Sequence, residues 1–524
     1  MTRTAALSLV LALAAAAVPV GIEEAGAAAP EVRPVIGAEM PERFGADRDR
    51  DGRLDLPNSP RYVDGLGDAR FPVVLDGSPS TAAMGLRDLP LFRYDWTVSG
   101  EALEEPLVAE DTGPVHSVAL PEGDYTVTLT VSARLPWGSV RNRATGPLTV
   151  EDLLVVAIGD SYASGEGNPE RPGPEPLWAD GGDPAVEAAH TAAHRSTVGW
   201  PARVALALER RDPGSSVTFV SVAASGASIE RGVLGAQPDV ADRSQIDEVV
   251  RLVGDRPIDL LLVSVGGNDI GFSRIIEALV DADPLFDPIC YRKDLENAWA
   301  SAVDGDWSRT SGLVPGLPFG LECRTEYTGE RHPLAGLAGL PGEFDRLAEA
   351  ITRRLRVGRV VVTEYPDPTG GAGATCREIV GDVFGVFGFL EISRSEQEEG
   401  RRRVIEPLNS VVRDAAGRHG WTFAGGIAER FADGHGYCAG WPDYRPPGTE
   451  AAPAPERSEE WYRNPGADIV LLPTDDPGAS WYRTAEQSVL LQGPDLPYRT
   501  SGTLHPNELG HAAIAGAVLE SLGG

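Results

Sequence analysis

The sequence predicts an α/β protein: a three-layer α/β/α unit with a mostly parallel central sheet, preceded by a small all-β sandwich. Three observations carry that expectation. From Leu153 onward, apolar runs of strand length alternate with helical stretches, the pattern of a parallel sheet covered on both faces. Between Pro30 and about Val150 the runs are short, alternating and separated by Gly, Pro, Asp and Asn, which is an all-β pattern. The length, 524 residues at 42% hydrophobic composition, suffices for a large core and two or three domains. The expected division is a leader over residues 1–29, the sandwich over 30–150 and the α/β unit over 151–524.

The leader rests on Arg3, the apolar run Ala5 to Val20, and the small residues Ala25-Gly26-Ala27 that a signal peptidase accepts. A retained anchor is the alternative, but the run is short and mostly alanine for a span. Export is expected, with the mature protein extracellular and secreted, monomeric and without stable membrane insertion. In that compartment Cys290, Cys323, Cys376 and Cys438 read as two disulfides rather than metal ligands, since none forms a CxxC pair. Sequence order suggests Cys290 with Cys323 and Cys376 with Cys438, one of three connectivities. The formal charge of −32 repels nucleic-acid backbones and anionic lipid, and excludes a nucleic-acid partner. Lys293 is the only lysine, so no GxxxxGK phosphate loop exists.

In the front part, Phe71 to Ser78, Tyr94 to Trp96 and Gly123 to Val131 read as strands. Tyr125, Val127, Leu129 and Val131 share one face of the last and are expected to meet Trp96 in the core. These pieces resemble Ig-like domains of the polycystic-kidney-disease type, a resemblance that implies a spacer or surface-binding module. Ahead of them, over 47–58, Asp47, Asp49 and Asp51 alternate and are followed by Gly52 and Asp55, a set able to converge on one hard cation. Calcium in a structural role is one reading; a solvated Asp/Arg loop is the other. Asn58 stands where a calcium loop of the EF-hand type ends in Glu, so affinity is expected to be modest.

In the back part, strands are expected over Leu153 to Ile158, Val217 to Val222, Leu260 to Val265, Arg359 to Glu364 and Trp421 to Ala424. Helices are expected over Pro201 to Arg210, Arg243 to Val253, Glu343 to Val357, Glu396 to Gly417 and Asn507 to Leu522. Long connections over Glu166 to Thr197, Asp281 to Pro341 and Phe431 to Thr503 are of the length that carries lids or substrate grooves.

Ligands in open parallel sheets bind beyond the carboxyl ends of the strands, so the residues just after each strand matter most. Gly159-Asp160-Ser161 follows the first strand, Ala224-Ser225-Gly226 the second, and Gly266-Gly267-Asn268-Asp269 the third. Near the C-terminus stands His505-Pro506-Asn507. Acyl transfer needs a nucleophile, a base within hydrogen-bond reach and donors aimed at the developing oxyanion. Ser161 offers the hydroxyl, although a serine there is also a common helix N-cap. Asn268 offers an amide, and Gly226 and Ser161 offer unobstructed backbone N–H groups.

In order, these four pieces resemble the blocks of the SGNH (GDSL) hydrolase superfamily, over about Leu153 to Leu522. The resemblance implies a three-layer fold, carboxylic ester hydrolysis of the lipase or esterase type, Ser161 as nucleophile and His505 as base. It also implies an oxyanion hole of Ser161, Gly226 and Asn268. No cofactor is expected for catalysis, and the chain lacks an HExxH motif. Pro506 suits a first helical turn, which places His505 at the helix cap; His511 reads as structural. Many relatives carry an acid three residues before the histidine, where this chain has Gly502. The ring is then expected to be oriented by a backbone carbonyl near Ser501 or Gly502, in a Ser-His dyad, or by an acid such as Asp495. His194-Arg195-Ser196 resembles a segment near the mouth of secreted lipases, with Ala193 in place of a cysteine, so a disulfide of those relatives is expected to be absent; a helix-entry turn and a substrate contact are its two readings. The substrate is an ester of a lipid, another acyl ester or an acetylated glycan. The competing readings are a polysaccharide O-acetyl esterase and a non-catalytic surface or carbohydrate-binding protein.

Overall fold

The computed structural model describes residues 29–41, 70–84, 87–172, 175–179, 184–212, 214–271, 333–369, 376–380, 388–392, 397–398, 400–439, 480–492 and 501–523. The expected leader, the Asp47–Asp55 loop, Asp495, Cys290 and Cys323 lie outside the described residues.

The front part is built of short antiparallel strands: β1 (Glu31–Arg33), β2 (Gly37–Glu39), β3 (Phe71–Asp76), β4 (Thr81–Met84), β5 (Arg87–Asp88), β6 (Leu91–Gly100), β7 (Leu107–Thr112), β8 (Val115–Leu120) and β9 (Gly123–Leu135). They form sheets in the orders β2-β3-β8 and β1-β4-β5, while β7-β6-β9 continues into β10 (Gly138–Gly159). Alternation decides which side chains turn inward. Phe71, Val73 and Leu75 of β3 join Trp96 of β6 and Tyr125, Val127, Leu129 and Val131 of β9 in one buried core. Trp96 pairs directly with Leu129 across the ladder. The Tyr125 hydroxyl donates to the Pro121 carbonyl at 2.7 Å, tying the start of β9 to the turn before it.

β10 runs 22 residues, far beyond the expected Leu153 to Ile158. Its first half pairs antiparallel with β9 from Gly138 to Val150, and its second half pairs parallel with two further strands. Arg141, Asn142, Arg143 and Pro147 give that first half no apolar run, which is why its strand character is silent in the sequence.

After β10 come α1 (Ser161–Ser164), α2 (Pro184–Ala193), α3 (Trp200–Arg211), β11 (Ser215–Ser221), α4 (Gln245–Val253), β12 (Ile258–Ser264), α5 (Pro333–Arg354), β13 (Val357–Thr363), β14 (Cys376–Val380), β15 (Gly388–Ile392), α6 (Glu406–His419), β16 (Thr422–Ala424), α7 (Ile427–Ala432), α8 (Ala485–Gln492) and α9 (Glu508–Ser521). β14 and β15 make a separate antiparallel pair. The parallel strands lie in the order β11-β10-β12-β13-β16, so the molecule is mixed α/β with one large mixed sheet. The direction of winding reverses at β10, and the crevice beyond β10 and β12 is where such sheets bind ligands.

Successive residues of β10 feed two cores. Val155 and Ala157 pack with α3, α7 and α9 through Trp200, Phe431 and Ile514. Leu154, Val156 and Ile158 pack with α4, α5 and α6 through Ile246, Phe344 and Leu408. Caps fix the helix starts: the Ser244 hydroxyl accepts from Asp247 N at 3.0 Å and donates to the Asp247 carboxylate at 2.7 Å, which begins α4. α5 starts ten residues before the expected Glu343 and contains Pro341, because burying Leu340 and Phe344 outweighs the poor helix propensity of that stretch. A π-helical turn over Arg401–Ile405 precedes α6 inside the expected Glu396 to Gly417 helix. Among the described residues no helix is long and apolar enough to cross a membrane. Cys438 is disulfide-bonded.

Candidate active site

At the end of β10 the chain must pass β12 at close range. A Cβ on Gly159 would stand 1.9 Å from the Ser264 carbonyl oxygen, and its φ is +135°, so only glycine serves there. Gln245, reaching in from α4, donates to Gly159 O at 2.8 Å and accepts from Gly159 N at 2.7 Å. The turn is thereby fixed on both polar atoms. Asp160, not Ser161, is the N-cap of α1, its carboxylate accepting from Tyr162 N at 3.0 Å. Ser161 is thus the first residue of the helix, and its hydroxyl is released from capping.

The Ser161 hydroxyl lies 2.7 Å from His505 Nε2. The other ring nitrogen, Nδ1, lies 3.2 Å from the Thr503 carbonyl oxygen. A carbonyl can only accept, so Nδ1 carries the hydrogen and Nε2 is the acceptor for the serine proton. The carbonyl at Nδ1 is that of Thr503, with the Ser501 backbone also bonding the ring, in the turn where a carbonyl near Ser501 or Gly502 is expected. His505 also precedes the helix cap rather than occupying it: Asn507 is the N-cap of α9, accepting from Leu509 N and Gly510 N. Pro506 belongs instead to a bridge with Tyr482. Leu504 adopts φ +59°, a strained backbone for a branched side chain, and is held by Tyr162 Oη donating to its carbonyl at 2.9 Å and by its own N–H donating to Arg483 O at 3.0 Å. Burial pushes the His505 imidazole below its usual value, opposed by the Glu166 carboxylate and by the Thr503 and Ser501 backbone. The lowering favours the neutral ring, the form able to accept a proton.

Gly226 has φ +74°, and among the described residues only Gln237 stands near the space a Cβ would take. Among the described residues, the N–H groups of Ser161 and Gly226 have no acceptor. Asn268 follows β12 after Gly266, at φ +125°, and Gly267, whose N–H donates to the Tyr365 hydroxyl at 2.9 Å. The Asn268 amide donates to Ala227 O at 2.8 Å, which fixes the plane of its NH2 group. Ser161, Gly226 and Asn268 thus end three adjacent strands of one sheet edge. If Asn268 supplies one oxyanion donor, Asn268→Ala lowers kcat by about 10²- to 10³-fold with little change in KM; steady-state rates on one activated ester measure this.

Two residues not singled out in the sequence belong to the same region. Tyr365 follows β13 and donates to the Asp160 carboxylate while accepting from Gly267, so one hydroxyl joins the serine turn to the asparagine turn. Burial lifts Asp160 to about 7, against the Tyr365 hydroxyl and the backbone amides. Glu166, fully buried between Gly165 and Gly167, bonds His194, Ser501 and Gln492. A lone acid framed by glycines within a buried stretch is the signal that points to it.

His194 sits in the turn after α2, with φ +50° and its N–H donating to Thr191 O at 3.2 Å, and its side chain lies against Glu166, the ring stacking on Trp178 with centroids 4.5 Å apart. Arg195 turns inward, donating to Ala223 O at 2.8 Å. His511 accepts from Trp200 N at 3.2 Å and is fully buried. Beside Asn268, burial and the Glu343 carboxylate raise Asp269 to about 8. An unfolded aspartate titrates at about 3.9, so the native state holds a proton over that interval which the unfolded state has lost. The stabilisation is complete below about pH 4 and is lost as pH rises through about 8. Thermal melting across that window is expected to show a smaller decline for Asp269→Asn than for the unsubstituted protein.

The model of the GDSL-like lipase/acylhydrolase family matches residues 157–513. No curated protein matches the chain. Among solved structures, it is similar to an extracellular lipase from Streptomyces rimosus, at 19% identity and TM-score 0.36, over 71% of this chain and 98% of that one. It is also similar to a family two carbohydrate esterase from Clostridium thermocellum, solved in complex with cellohexaose, at 13% identity and TM-score 0.20, over 74% and 100%. An aryl esterase from M. smegmatis is similar at 11% identity and TM-score 0.20, over 52% and 82%.

Proposed function

Because the chain belongs to the GDSL-like lipase/acylhydrolase family, we propose that it is a serine hydrolase of carboxylic esters, with Ser161 as nucleophile and His505 as base. The observation that carries this reading is the 2.7 Å contact between Ser161 Oγ and His505 Nε2. Ser161 Oγ attacks the ester carbonyl carbon as His505 Nε2 takes its proton. The carbonyl oxygen becomes an oxyanion, met by the N–H groups of Ser161 and Gly226 and by the Asn268 amide. Collapse expels the alcohol, which receives the proton from His505. Water then attacks the acyl-serine, with His505 again taking and returning the proton. The imidazolium formed twice in the cycle is supported by Thr503 O at Nδ1.

The remaining parts of the proposal concern setting rather than chemistry. The chain is read as exported and extracellular, with residues 1–29 as signal and a structural calcium ion held by Asp47, Asp49, Asp51 and Asp55. Residues 30–150 are read as an Ig-like module of the polycystic-kidney-disease type. The Tyr125 hydroxyl bond to Pro121, four residues upstream, supports that reading, since such tyrosine corners recur in Ig-like sandwiches. Cys376 pairs with Cys438, and Cys290 with Cys323.

The substrate class is tested by rates on nitrophenyl esters from acetyl to palmitoyl beside an acetylated glycan. A lipase or acyl esterase turns over the longer chains. A polysaccharide O-acetyl esterase cleaves only acetyl groups, and a binding protein turns over none, which would overturn the proposal.

A further inference from the structure

The position three residues before His505 cannot hold an acid. A Cβ on Gly502 would stand 2.7 Å from Gly167 Cα and 2.7 Å from Gln492 Oε1. The first of these is backbone and has no rotamer to move into. The same close approach brings Glu166, the neighbour of Gly167, against the turn that carries the histidine.

Glu166 is anchored there by the side chains of Ser501, Gln492, His194 and Ser225. Its Oε1 accepts from Ser501 Oγ at 2.8 Å and from Gln492 Nε2 at 2.6 Å, and its Oε2 is 2.6 Å from His194 Nδ1. The far end of Gln492 accepts from Gly502 N at 3.1 Å. Two of these arms therefore close on the Ser501-Gly502 backbone, and Gly502 O accepts from His505 N at 3.1 Å. The turn that aims the Thr503 carbonyl at His505 Nδ1 is thus gripped by one buried carboxylate.

We propose that Glu166 is the positioning residue for His505: it holds the 501–505 turn through Ser501 and Gln492, and its carboxylate supports the charged ring in place of an acid at 502. His194 completes the device as the counter-charge to Glu166. The inference rests on the reading of Ser161 and His505 as nucleophile and base. Burial disfavours the charge on Glu166, yet the charge and hydrogen bond of His194, with His505 and Ser225, hold its carboxyl well below the ordinary range. Burial likewise works against a charged His194, but Glu166 raises it overall. Among the described residues, the other groups by His505 are the Tyr162 ring, with centroids 5.1 Å apart, His511 of α9, and Arg483, whose N–H donates to His505 O at 2.9 Å and whose guanidinium pairs with Glu508 at 2.6 Å. Glu166 is the anion among them not occupied by an arginine.

The acid limb of kcat/KM reads the titration of His505 in the free enzyme. Glu166→Gln, which keeps the shape and removes the charge, is expected to move that limb to lower pH by about one unit and to reduce kcat. His194→Gln removes a cation and is expected to move it to higher pH. Ser501→Ala keeps the carboxylate and cuts its direct link to the turn, so kcat falls several-fold at unchanged KM while the limb stays in place. Limbs that do not move, or that move in the same direction in both charge variants, overturn the proposal. Should Glu166→Gln fail to fold, Ser501→Ala decides: an unchanged kcat overturns the positioning role. Full activity in Ser161→Ala would instead remove the reading beneath it, whereas an inactive Ser161→Ala beside unmoved limbs removes this inference alone.

Discussion

Ser161→Ala is expected to lower kcat on an activated ester on the order of 10⁶-fold, the scale of loss when the serine of a Ser-His pair is removed. The reason lies in how the fold presents that residue. Asp160 takes over the capping of α1, so the Ser161 hydroxyl is free to bond His505 instead of its own helix. Alanine keeps the helix, the backbone N–H and the packing, and takes away only the oxygen. Binding and the oxyanion donors would persist, and a residual acceleration of about 10³- to 10⁴-fold over water is the expected remainder. An unchanged melting temperature alongside the lost rate would separate chemistry from folding.

His505→Gln is expected to be nearly as damaging. Glutamine preserves a polar group near Ser161 but cannot accept a proton and become a stable cation, so both acylation and deacylation lose their base. Because the two residues act as a unit, the Ser161→Ala and His505→Gln losses do not add. The double variant should be about as slow as either single one. The pH profile separates this from a merely structural effect: the acid limb set by the imidazole disappears in His505→Gln, and the remaining rate rises with hydroxide. Additive losses would show that the two side chains act independently.

Much of the candidate site is legible in the sequence because of where parallel strands end. Ser161, Gly226 and Asn268 each follow an apolar run, and the topology β11-β10-β12 brings those three ends side by side. His505 is visible through its short motif with Pro506 and Asn507. What stays silent has a physical cause in each case. Gly502 in place of an acid points to a backbone carbonyl, but which carbonyl meets the ring is not encoded, since every residue has one. The role of Glu166 depends on a partner 335 positions away, and no local pattern encodes that meeting. The His505-Pro506 pair suggests a helix start, yet the Asn507 side chain captures the first free amides and moves the cap two residues on. In the fold, the expected core of Trp96 with Tyr125, Val127, Leu129 and Val131 is present because period-two alternation survives in β9. The first half of β10 is hidden because its polar residues carry no such alternation.

The central claim is that Ser161 is an activated nucleophile, and a fluorophosphonate tests it whatever ester the enzyme cleaves. Peptide mapping of the treated protein is expected to find one phosphonyl adduct, on Ser161, formed slowly or not at all in His505→Gln. No adduct, or an adduct on another serine with Ser161 unmodified, would contradict the account.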